Sequence, residues 1–148
     1  MPIAPASNRE IVNTRLFHAT PAALFAAFSN PERLARWWGP NGFSNTFHEF
    51  DFRTGGDWRF IMHGPDGTDY ENYVIFTEIL PCERIVLQHI PPPKFQLTMI
   101  FTEQNGKTQL TWRQEFETAA QRDKILKFVG DANEQNFDRL EAELAREA

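Results

Sequence analysis

Six segments of alternating apolar and polar residues, followed by one long helical pattern, leave few folds open to this chain. The segments span residues 43–53, 57–63, 70–80, 83–90, 95–103 and 108–116, and an earlier segment, 11–17, has a similar character. Short connections with turn residues, such as Gly64-Pro65-Asp66-Gly67 and Asn105-Gly106, join neighbouring segments. The sequence therefore predicts seven strands paired antiparallel as a meander.

Capping residues predict where three helices begin. The first begins at Thr20-Pro21 and continues through Phe28, and the second begins at Asn30-Pro31 and ends at Gly39-Pro40. The third begins at the capping box Thr118-Ala119-Ala120-Gln121 and continues to the C-terminus. Two short helices after strand 1 and a long helix at the end predict an α+β fold, in which a curved antiparallel sheet covers the long helix.

The long helix has a predicted buried stripe with spacings of three and four residues. This stripe consists of Leu126, Val129, Asn133, Phe137, Leu140 and Leu144. Gly130 lies within it, and glycine weakens a helix by about 1 kcal/mol relative to alanine. Two interpretations follow: the helix approaches the sheet closely at Gly130, or it begins only after this residue.

Three ordered motifs resemble those of a known family. They are Asn-Pro-Glu-Arg-Leu-Ala-Arg-Trp-Trp-Gly-Pro at 30–40, Asp-Phe-Arg-Thr-Gly-Gly-Asp-Trp-Arg-Phe-Ile-Met at 51–62 and Gly-Pro-Asp-Gly at 64–67. Over residues 9–145 the chain is similar to the bacterial activator-of-heat-shock-protein-90-ATPase-like family, within the START-like (Bet v 1-like, SRPBCC) superfamily. The resemblance implies the helix-grip fold, whose sheet and terminal helix usually enclose a hollow for a hydrophobic or amphipathic small molecule. We therefore expect one START-like ligand-binding domain over residues 9–146, preceded by a flexible tail over residues 1–8.

Charge and cysteine content restrict the partners and the compartment. Twenty acidic residues against 15 basic ones give a net charge of −5, and the basic residues are scattered, so we expect no nucleic-acid partner. The one cysteine, Cys82, excludes an intrachain disulfide and fits a reducing cytoplasm. The N-terminus lacks the pattern of a secretion signal, and no apolar run reaches the roughly 18 residues that a membrane span needs. We expect a cytoplasmic protein without membrane insertion.

Sequence motifs for catalysis, phosphate binding and cofactor binding are absent, so no catalytic residue and no cofactor is predicted. The four histidines lie on separate segments without metal-ligand spacing, and no metal site is predicted. Cys82 lies in a turn without a neighbouring residue that would activate it as a nucleophile. For Glu49, Asp51 and Glu78, strand alternation favours a solvated outer face with cross-strand ion pairs over acid-base catalysis.

Aromatic and methionine side chains dominate the strand faces predicted to meet the long helix. With 14 phenylalanines, four tryptophans and two tyrosines, the chain has more rings than a small core ordinarily needs. These rings either fill a solid core or line a ligand cavity. The cavity is favoured by the adaptable rings and methionines, by the polar residues His89, Gln114 and Asn133 within apolar stripes, and by the hollow that the resemblance implies. The predicted ligand-binding residues are Trp37, Trp38, Trp58, Phe60, Met62, His89, Met99, Trp112 and Asn133.

Three functions follow as hypotheses. The first is binding of a small hydrophobic or aromatic molecule, such as a lipid, polyketide or metabolite, without catalysis. The second, implied by the resemblance, is regulation of the heat-shock protein 90 ATPase. A chaperone partner is less expected, because complete regulators carry a further N-terminal domain and only a short segment precedes the first strand here. The third is a polyketide cyclase or aromatase, with His89, Glu49 or Glu78 in proton transfer.

Self-association is a further open possibility. Phe47 and Tyr73, if strand alternation places them on the outer face, form an apolar patch that suits a homodimer.

Overall fold

The computed structural model describes residues 7–146, except for the side chains of residues 128–130. Its elements are β1 (Glu10–Phe17), α1 (Pro21–Ser29), α2 (Pro31–Trp37), β2 (Ser44–Phe50), β3 (Asp57–His63), β4 (Asp69–Leu80), β5 (Arg84–His89), β6 (Phe95–Gln104), β7 (Lys107–Phe116) and α3 (Ala119–Arg146). Residues 1–6 of the predicted tail, and the side chain of Val129 with its predicted burial, lie outside the part of the chain that the structure describes.

The seven strands form one antiparallel sheet in the order β1-β7-β6-β5-β4-β3-β2. From β2 to β7 each strand pairs with its neighbour in sequence, which confirms the predicted meander. β1 pairs with β7 over its full length, from Glu10 opposite Glu115 to Phe17 opposite Thr108. The two short helices carry the chain from β1 at one edge of the sheet to β2 at the other. The predicted α+β helix-grip fold is confirmed.

β2 ends earlier than predicted. It stops at Phe50, whereas the alternating pattern predicted a strand through residue 53. A bulge between Phe47 and Glu49 interrupts the alternation, because an extra residue on one strand shifts the pairing. The chain then turns so tightly that a Cβ atom on Gly56 would lie 1.9 Å from the carbonyl oxygen of Asp51, and only glycine fits there.

The helices begin at the predicted caps. Asn30 Oδ1 accepts a hydrogen bond from the Glu32 N–H at 3.0 Å, and Thr118 Oγ1 accepts one from the Gln121 N–H at 3.1 Å. α3 is a single helix that includes Gly130, so the alternative in which it begins after this residue is wrong. No helix within the described chain is long and apolar enough to cross a membrane.

The space between the sheet and α3 is densely packed at one end, which we call the solid end. It is formed by α1, α2 and the C-terminal half of α3. Phe28 packs edge-on against Trp37 and Phe101, with ring centroids 4.9 and 5.3 Å apart. Trp37 is completely buried, and its Nε1–H donates to the carbonyl of Ala27 at 3.0 Å. Leu140 of α3 is also completely buried here.

Ion pairs hold the C-terminal half of α3 against the solid end. Arg15 of β1 contacts three carboxylates of the helix, those of Glu134, Asp138 and Glu141, at 3.0, 2.8 and 2.6 Å. Glu143 is 3% exposed and contacts Arg33 at 3.0 Å and Arg36 at 2.7 Å. Its hydrogen bond from Arg36, with a further contribution from Arg33, lowers the pKa of Glu143, so this carboxylate is ionised at neutral pH.

The predicted burial of Leu126 is wrong. Leu126 is 40% exposed, while Asn133, Phe137 and Leu140 of the same predicted stripe are buried. In the N-terminal half of α3, the neighbouring residue Ile125 faces inward and lines the cavity. Successive helix residues are about 100° apart around the axis, so Leu126 faces solvent when Ile125 faces inward.

The outer face of the sheet carries the predicted cross-strand ion pairs at Glu49 and Glu78, whereas Asp51 lies beyond the end of β2 and pairs with Arg53 two residues away. Glu49 contacts Arg59 across β2 and β3 at 3.2 Å. The guanidinium of Arg59 also covers the ring of Tyr73, 3.8 Å from its centroid. Phe47 lies on the opposite, inner face, with its ring 5.3 Å from that of Trp58. A homodimer patch on the outer face would therefore include Tyr73 but not Phe47, and the homodimer itself stays a prediction.

Candidate ligand-binding cavity

A cavity of about 610 Å³ lies between the sheet and the first and middle parts of α3. Its walls come from the inner faces of β3 to β7, residues 125–136 of α3 and two loops that include residues 38–43 and 91–93. We call this region the hollow end. Pockets that bind small molecules commonly measure about 300–1,000 Å³, so this volume suits a small ligand.

Six of the nine predicted ligand-binding residues line the cavity: Trp38, Phe60, Met62, His89, Trp112 and Asn133. The other three, Trp37, Trp58 and Met99, are at most 1% exposed and lie in the packed core, away from the cavity wall. All nine residues are on the inner side of the fold. Alternation along a strand predicts which face a residue occupies, but it does not predict whether that part of the face is filled or hollow.

Trp38 forms the boundary between the solid end and the hollow end. Its ring centroid lies 5.6 Å from that of Trp37, 5.1 Å from that of Trp58 and 5.5 Å from that of Trp112. α2 ends at Trp37, and Trp38 has an extended backbone with φ −68° and ψ 128°. Because the helix stops between them, the two adjacent tryptophans separate: Trp37 packs in the core and Trp38 lines the cavity.

Arg139 of α3 fastens the loop that carries Trp38. Its guanidinium donates to five backbone carbonyls, those of Arg36, Trp38, Gly39, Pro40 and Phe43, at distances between 2.7 and 3.3 Å. Burial lowers the pKa of Arg139 from its usual value, but a guanidinium stays charged at neutral pH. Asn136 adds a hydrogen bond from Nδ2 to the carbonyl of Trp37 at 2.8 Å. These bonds fix one wall of the cavity to the long helix.

The hydrogen bonds from Arg139 to the loop carbonyls, which we call the Arg139 clamp, were not predicted from the sequence. One signal was present: Asn136 and Arg139 are polar residues three apart, next to the apolar stripe of a helix. Their acceptors are carbonyls of a loop about one hundred positions earlier in the chain, and periodicity carries no information about such distant partners.

Two neutral amides form the polar part of the wall on the side of α3 and β7. Asn133 Nδ2 donates to Asn13 Oδ1 at 2.9 Å and to Gln114 Oε1 at 3.2 Å. The sequence analysis predicted that these buried amides need hydrogen-bond partners, and each amide supplies part of what the other needs. Gln114 Nε2 remains as a donor and Asn133 Oδ1 as an acceptor, and neither has a hydrogen-bond partner among the described residues.

His89 lines the cavity beside the proline loop, with an oxygen atom next to each ring nitrogen. Nδ1 donates to the carbonyl of Pro93 at 3.0 Å, and Nε2 lies 2.9 Å from Asn72 Oδ1. The imidazole stacks on Phe95 with a centroid distance of 4.7 Å. Burial lowers the pKa of His89, and hydrogen bonding to the carbonyls of Pro93 and Pro91 opposes this more weakly. The ring is therefore neutral at pH 7.

The remaining candidates for proton transfer do not face the cavity. Glu49 pairs with Arg59, and Glu78 pairs with Arg84 at 2.5 Å. Of the three residues considered for acid-base chemistry, only His89 is part of the cavity wall. Among residues 7–146, no group of three or more histidine, cysteine, aspartate or glutamate side chains is placed to hold a metal ion.

A polar cluster at the edge of the sheet has the order hydroxyl, imidazole and carboxylate. Thr46 Oγ1 lies 2.7 Å from His63 Nε2, and His63 Nδ1 lies 2.7 Å from Asp69 Oδ1. Thr46 and Asp69 are exposed, and none of the three residues lines the cavity. We interpret this cluster as cross-strand pairing of polar side chains on the outer face.

Solved structures from several bacteria share this fold. A protein from Rhodobacter sphaeroides is 25% identical, with a TM-score of 0.87 over 98% of this chain and 97% of that chain. A protein from Arthrobacter aurescens is 23% identical, with a TM-score of 0.88 over 94% of this chain and 87% of that chain. A protein from Nitrosomonas europaea is 19% identical, with a TM-score of 0.88 over 95% of this chain and 97% of that chain.

Sequence comparison assigns the family. No curated protein matches the chain. The family model described as "Activator of Hsp90 ATPase homolog 1-like protein" matches residues 18–145, which is most of the sequence and includes α2 and all but the last residue of α3. The resemblance that the three motifs indicated is confirmed, and the chain belongs to the activator of Hsp90 ATPase homolog 1-like family.

Proposed function

We propose that the protein binds a small, predominantly apolar molecule in the cavity at the hollow end and acts without catalysing a reaction. The observation that carries this proposal is the cavity itself: about 610 Å³ of space, lined mainly by aromatic and aliphatic side chains, beside a closely packed core. An unfilled apolar void forfeits dispersion contacts and lowers the stability of a fold. A ligand that fills it restores those contacts.

The chemistry of the wall supports an apolar or aromatic ligand. Trp38, Phe60 and Trp112 offer flat faces, and Met62 offers a flexible thioether that adapts to different shapes. The Nε1–H of Trp112 has no hydrogen-bond partner among the described residues. A ligand oxygen that reached this nitrogen would offset the cost of its desolvation.

We propose neither cyclisation nor chaperone regulation. A cyclase needs a group that can exchange a proton with its substrate, and in His89 the Nδ1–H already donates to the carbonyl of Pro93 while Nε2 faces Asn72 Oδ1. Glu49 and Glu78 are paired with arginines on the outer face. The family name refers to activation of the Hsp90 ATPase, and no contact within this chain favours that role over ligand binding.

Titration with N-phenyl-1-naphthylamine, a neutral fluorophore, tests the proposal together with two matched variants. Ala132 lines the cavity and Ala142 is exposed on the same helix, so Ala132→Phe fills the space and Ala142→Phe is its control. We expect one dye per wild-type chain, loss of binding in Ala132→Phe and unchanged binding in Ala142→Phe. Absence of binding to the wild type, or equal binding to both variants, would contradict the proposal.

Native mass spectrometry of the gently purified wild type gives an independent result. A ligand retained from the cell would add a discrete mass that disappears on denaturation. We expect this added mass to be missing from Ala132→Phe and present in Ala142→Phe. An added mass retained by Ala132→Phe would place the ligand outside the cavity.

A further inference from the structure

The cavity wall lacks positive charge. No lysine or arginine is among the described residues that line it, and residues 128–130, whose side chains are not described, are phenylalanine, valine and glycine. Arg139 lies close to the 38–43 loop, but its guanidinium is engaged with five carbonyl oxygens and does not line the cavity. The one carboxylate of the described wall, Glu71, is exposed at its rim.

The polar groups of the wall are neutral and offer hydrogen bonds of both kinds. Four carboxamides line it: Asn72, Gln114, Asn133 and Asn136. Asn72 is engaged with Tyr70 and His89, through an Nδ2 donor bond of 3.1 Å and an Oδ1 contact of 2.9 Å. Gln114 Nε2 remains as a donor, and Asn133 Oδ1 remains as an acceptor, without partners among the described residues.

Such a wall discriminates between ligands by charge. An anion that enters a cavity of low dielectric constant loses its hydration, and this loss is tolerable only where a cation or several donors replace the water. Here the free donors are one amide NH₂ group and the Nε1–H of Trp112, no cation is present among the described wall residues, and Glu71 repels an approaching anion. A neutral group with a donor and an acceptor, by contrast, matches Gln114 Nε2 and Asn133 Oδ1 together.

Resting on the proposed binding function, we infer that the cavity selects electrically neutral ligands that carry a hydrogen-bond donor next to an acceptor, as an amide or lactam does. The apolar body of the ligand lies against Trp38, Phe60 and Met62. The amide group lies between β7 and α3, where Gln114 donates to its carbonyl and Asn133 accepts from its N–H. Carboxylates of the same shape, including fatty acids, are excluded.

Displacement of bound N-phenyl-1-naphthylamine by 2-naphthamide and by 2-naphthoate tests this inference on the wild-type chain. The two competitors share the same rings and nearly the same size, and at pH 7.5 they differ by one negative charge. We expect 2-naphthamide to bind at least about tenfold more tightly, because the carboxylate would be buried without a counter-charge. Equal affinities, or a preference for 2-naphthoate, would overturn the inference while the proposed function stood.

The other outcomes also separate the two proposals. If the dye does not bind, the proposed function fails and the inference fails with it. If the dye binds in the cavity but 2-naphthamide does not displace it, only the inference is overturned.

Two lysine variants one residue apart provide a matched test of the charge argument. Ile125 lines the cavity and Leu126 is exposed beside it, so Ile125→Lys adds a cation to the wall and Leu126→Lys adds the same charge outside. We expect Ile125→Lys to strengthen 2-naphthoate binding about tenfold and Leu126→Lys to change it less than about twofold, since charges in water are screened. Equal effects of the two variants would contradict a charge-selective wall.

Gln114→Glu tests the amide contact with little change of shape. The carboxylate keeps an acceptor for Asn133 but removes the free donor of Gln114. We expect 2-naphthamide to bind about three- to tenfold more weakly, the usual range for one neutral hydrogen bond. We expect 2-naphthoate to weaken further, because the variant adds a negative charge. Unchanged binding of 2-naphthamide would overturn the role of Gln114.

Discussion

The two halves of α3 meet the same sheet in different ways. At the solid end, Leu140 is completely buried, and the ring of Phe137 packs against that of Phe17 at 5.7 Å. At the hollow end, Ile125 borders a cavity of about 610 Å³. One helix and one sheet therefore hold both the packed core that stabilises the fold and the space that is free to bind a ligand.

The difference between the ends comes from what lies between the sheet and the helix. α1 and α2 insert rings such as Phe28 and Trp37 at the solid end. At the hollow end two loops cover the space, and Arg139 and Asn136 fix the 38–43 loop and the end of α2 through their backbone carbonyls. Backbone hydrogen bonds hold a wall in place without filling the space beside it, whereas buried rings fill the space.

Truncation of one aliphatic side chain in each half of α3 should give the largest difference between the two ends. Leu140→Ala is expected to lower the free energy of unfolding by about 2–5 kcal/mol, the usual range for a completely buried leucine. Ile125→Ala is expected to lower it by less than about 1 kcal/mol, because part of its surroundings is already empty. Urea denaturation of both variants measures this difference. Equal losses would show that the hollow end is packed as closely as the solid end.

The second largest effect on stability should follow from removing the buried carboxylate of Glu143 at the solid end. Glu143→Gln removes the buried negative charge that Arg33 and Arg36 contact and is expected to lower the free energy of unfolding at pH 7 by about 1–3 kcal/mol. The lowered pKa of Glu143 means that its contribution is full above about pH 4.3, the value of an unperturbed glutamate, and falls as pH drops toward the folded-state pKa. Urea denaturation of wild type and variant between pH 7 and pH 3 should show their difference shrinking with acid. A difference that stays constant would contradict this account.

Removing the hydrogen bonds of Arg139 should loosen only the 38–43 loop at the hollow end. Arg139→Met keeps the aliphatic stem but removes the donors to the 38–43 loop. We expect amide hydrogen exchange of Asn41 and Phe43 to accelerate by about tenfold or more, since local opening no longer breaks these bonds. Exchange at the solid end, for example at Leu140, should change much less. Uniform acceleration throughout the chain would mean that Arg139 stabilises the whole fold and not this loop.

A change at the exposed side of α3 should have the smallest effect. Leu126→Ala is expected to change the free energy of unfolding by less than about 0.5 kcal/mol, because the side chain faces solvent. Thermal or urea denaturation beside Ile125→Ala measures it. A loss of unfolding free energy as large as that of Leu140→Ala would show that Leu126 is buried, as the sequence pattern predicted.

Local patterns predicted most of the fold. Alternating residues and turn chemistry predicted the seven strands and their antiparallel order, and capping residues such as Asn30 and Thr118 predicted where helices begin. The errors lie where tertiary contacts override a local pattern. In β2, a bulge at Phe47 interrupts the alternation of inward and outward residues. In α3, Leu126 faces solvent because the neighbouring residue Ile125 faces the cavity.

The candidate site was only partly predictable. Alternation placed Trp58, Trp112 and Met99 on the inner face, but only Trp112 of these three lines the cavity. Whether a position is filled or hollow depends on how far α1 and α2 reach along the sheet, which no residue pattern encodes. The Arg139 clamp and the pairing of Asn133 with Gln114 join residues far apart in sequence and became visible only in the folded chain.

The most direct test of ligand binding at the hollow end is an amide ¹H–¹⁵N NMR titration of the wild-type chain with N-phenyl-1-naphthylamine. The account predicts saturable shifts confined to the cavity wall: residues 38–43, the lining parts of β3 to β7, the loop at 91–93 and residues 125–136 of α3. Amides of α1, of α2 and of residues 137–146 of α3 should keep their positions. Shifts centred on the solid end or on the outer face, or no shifts at dye saturation, would contradict the account.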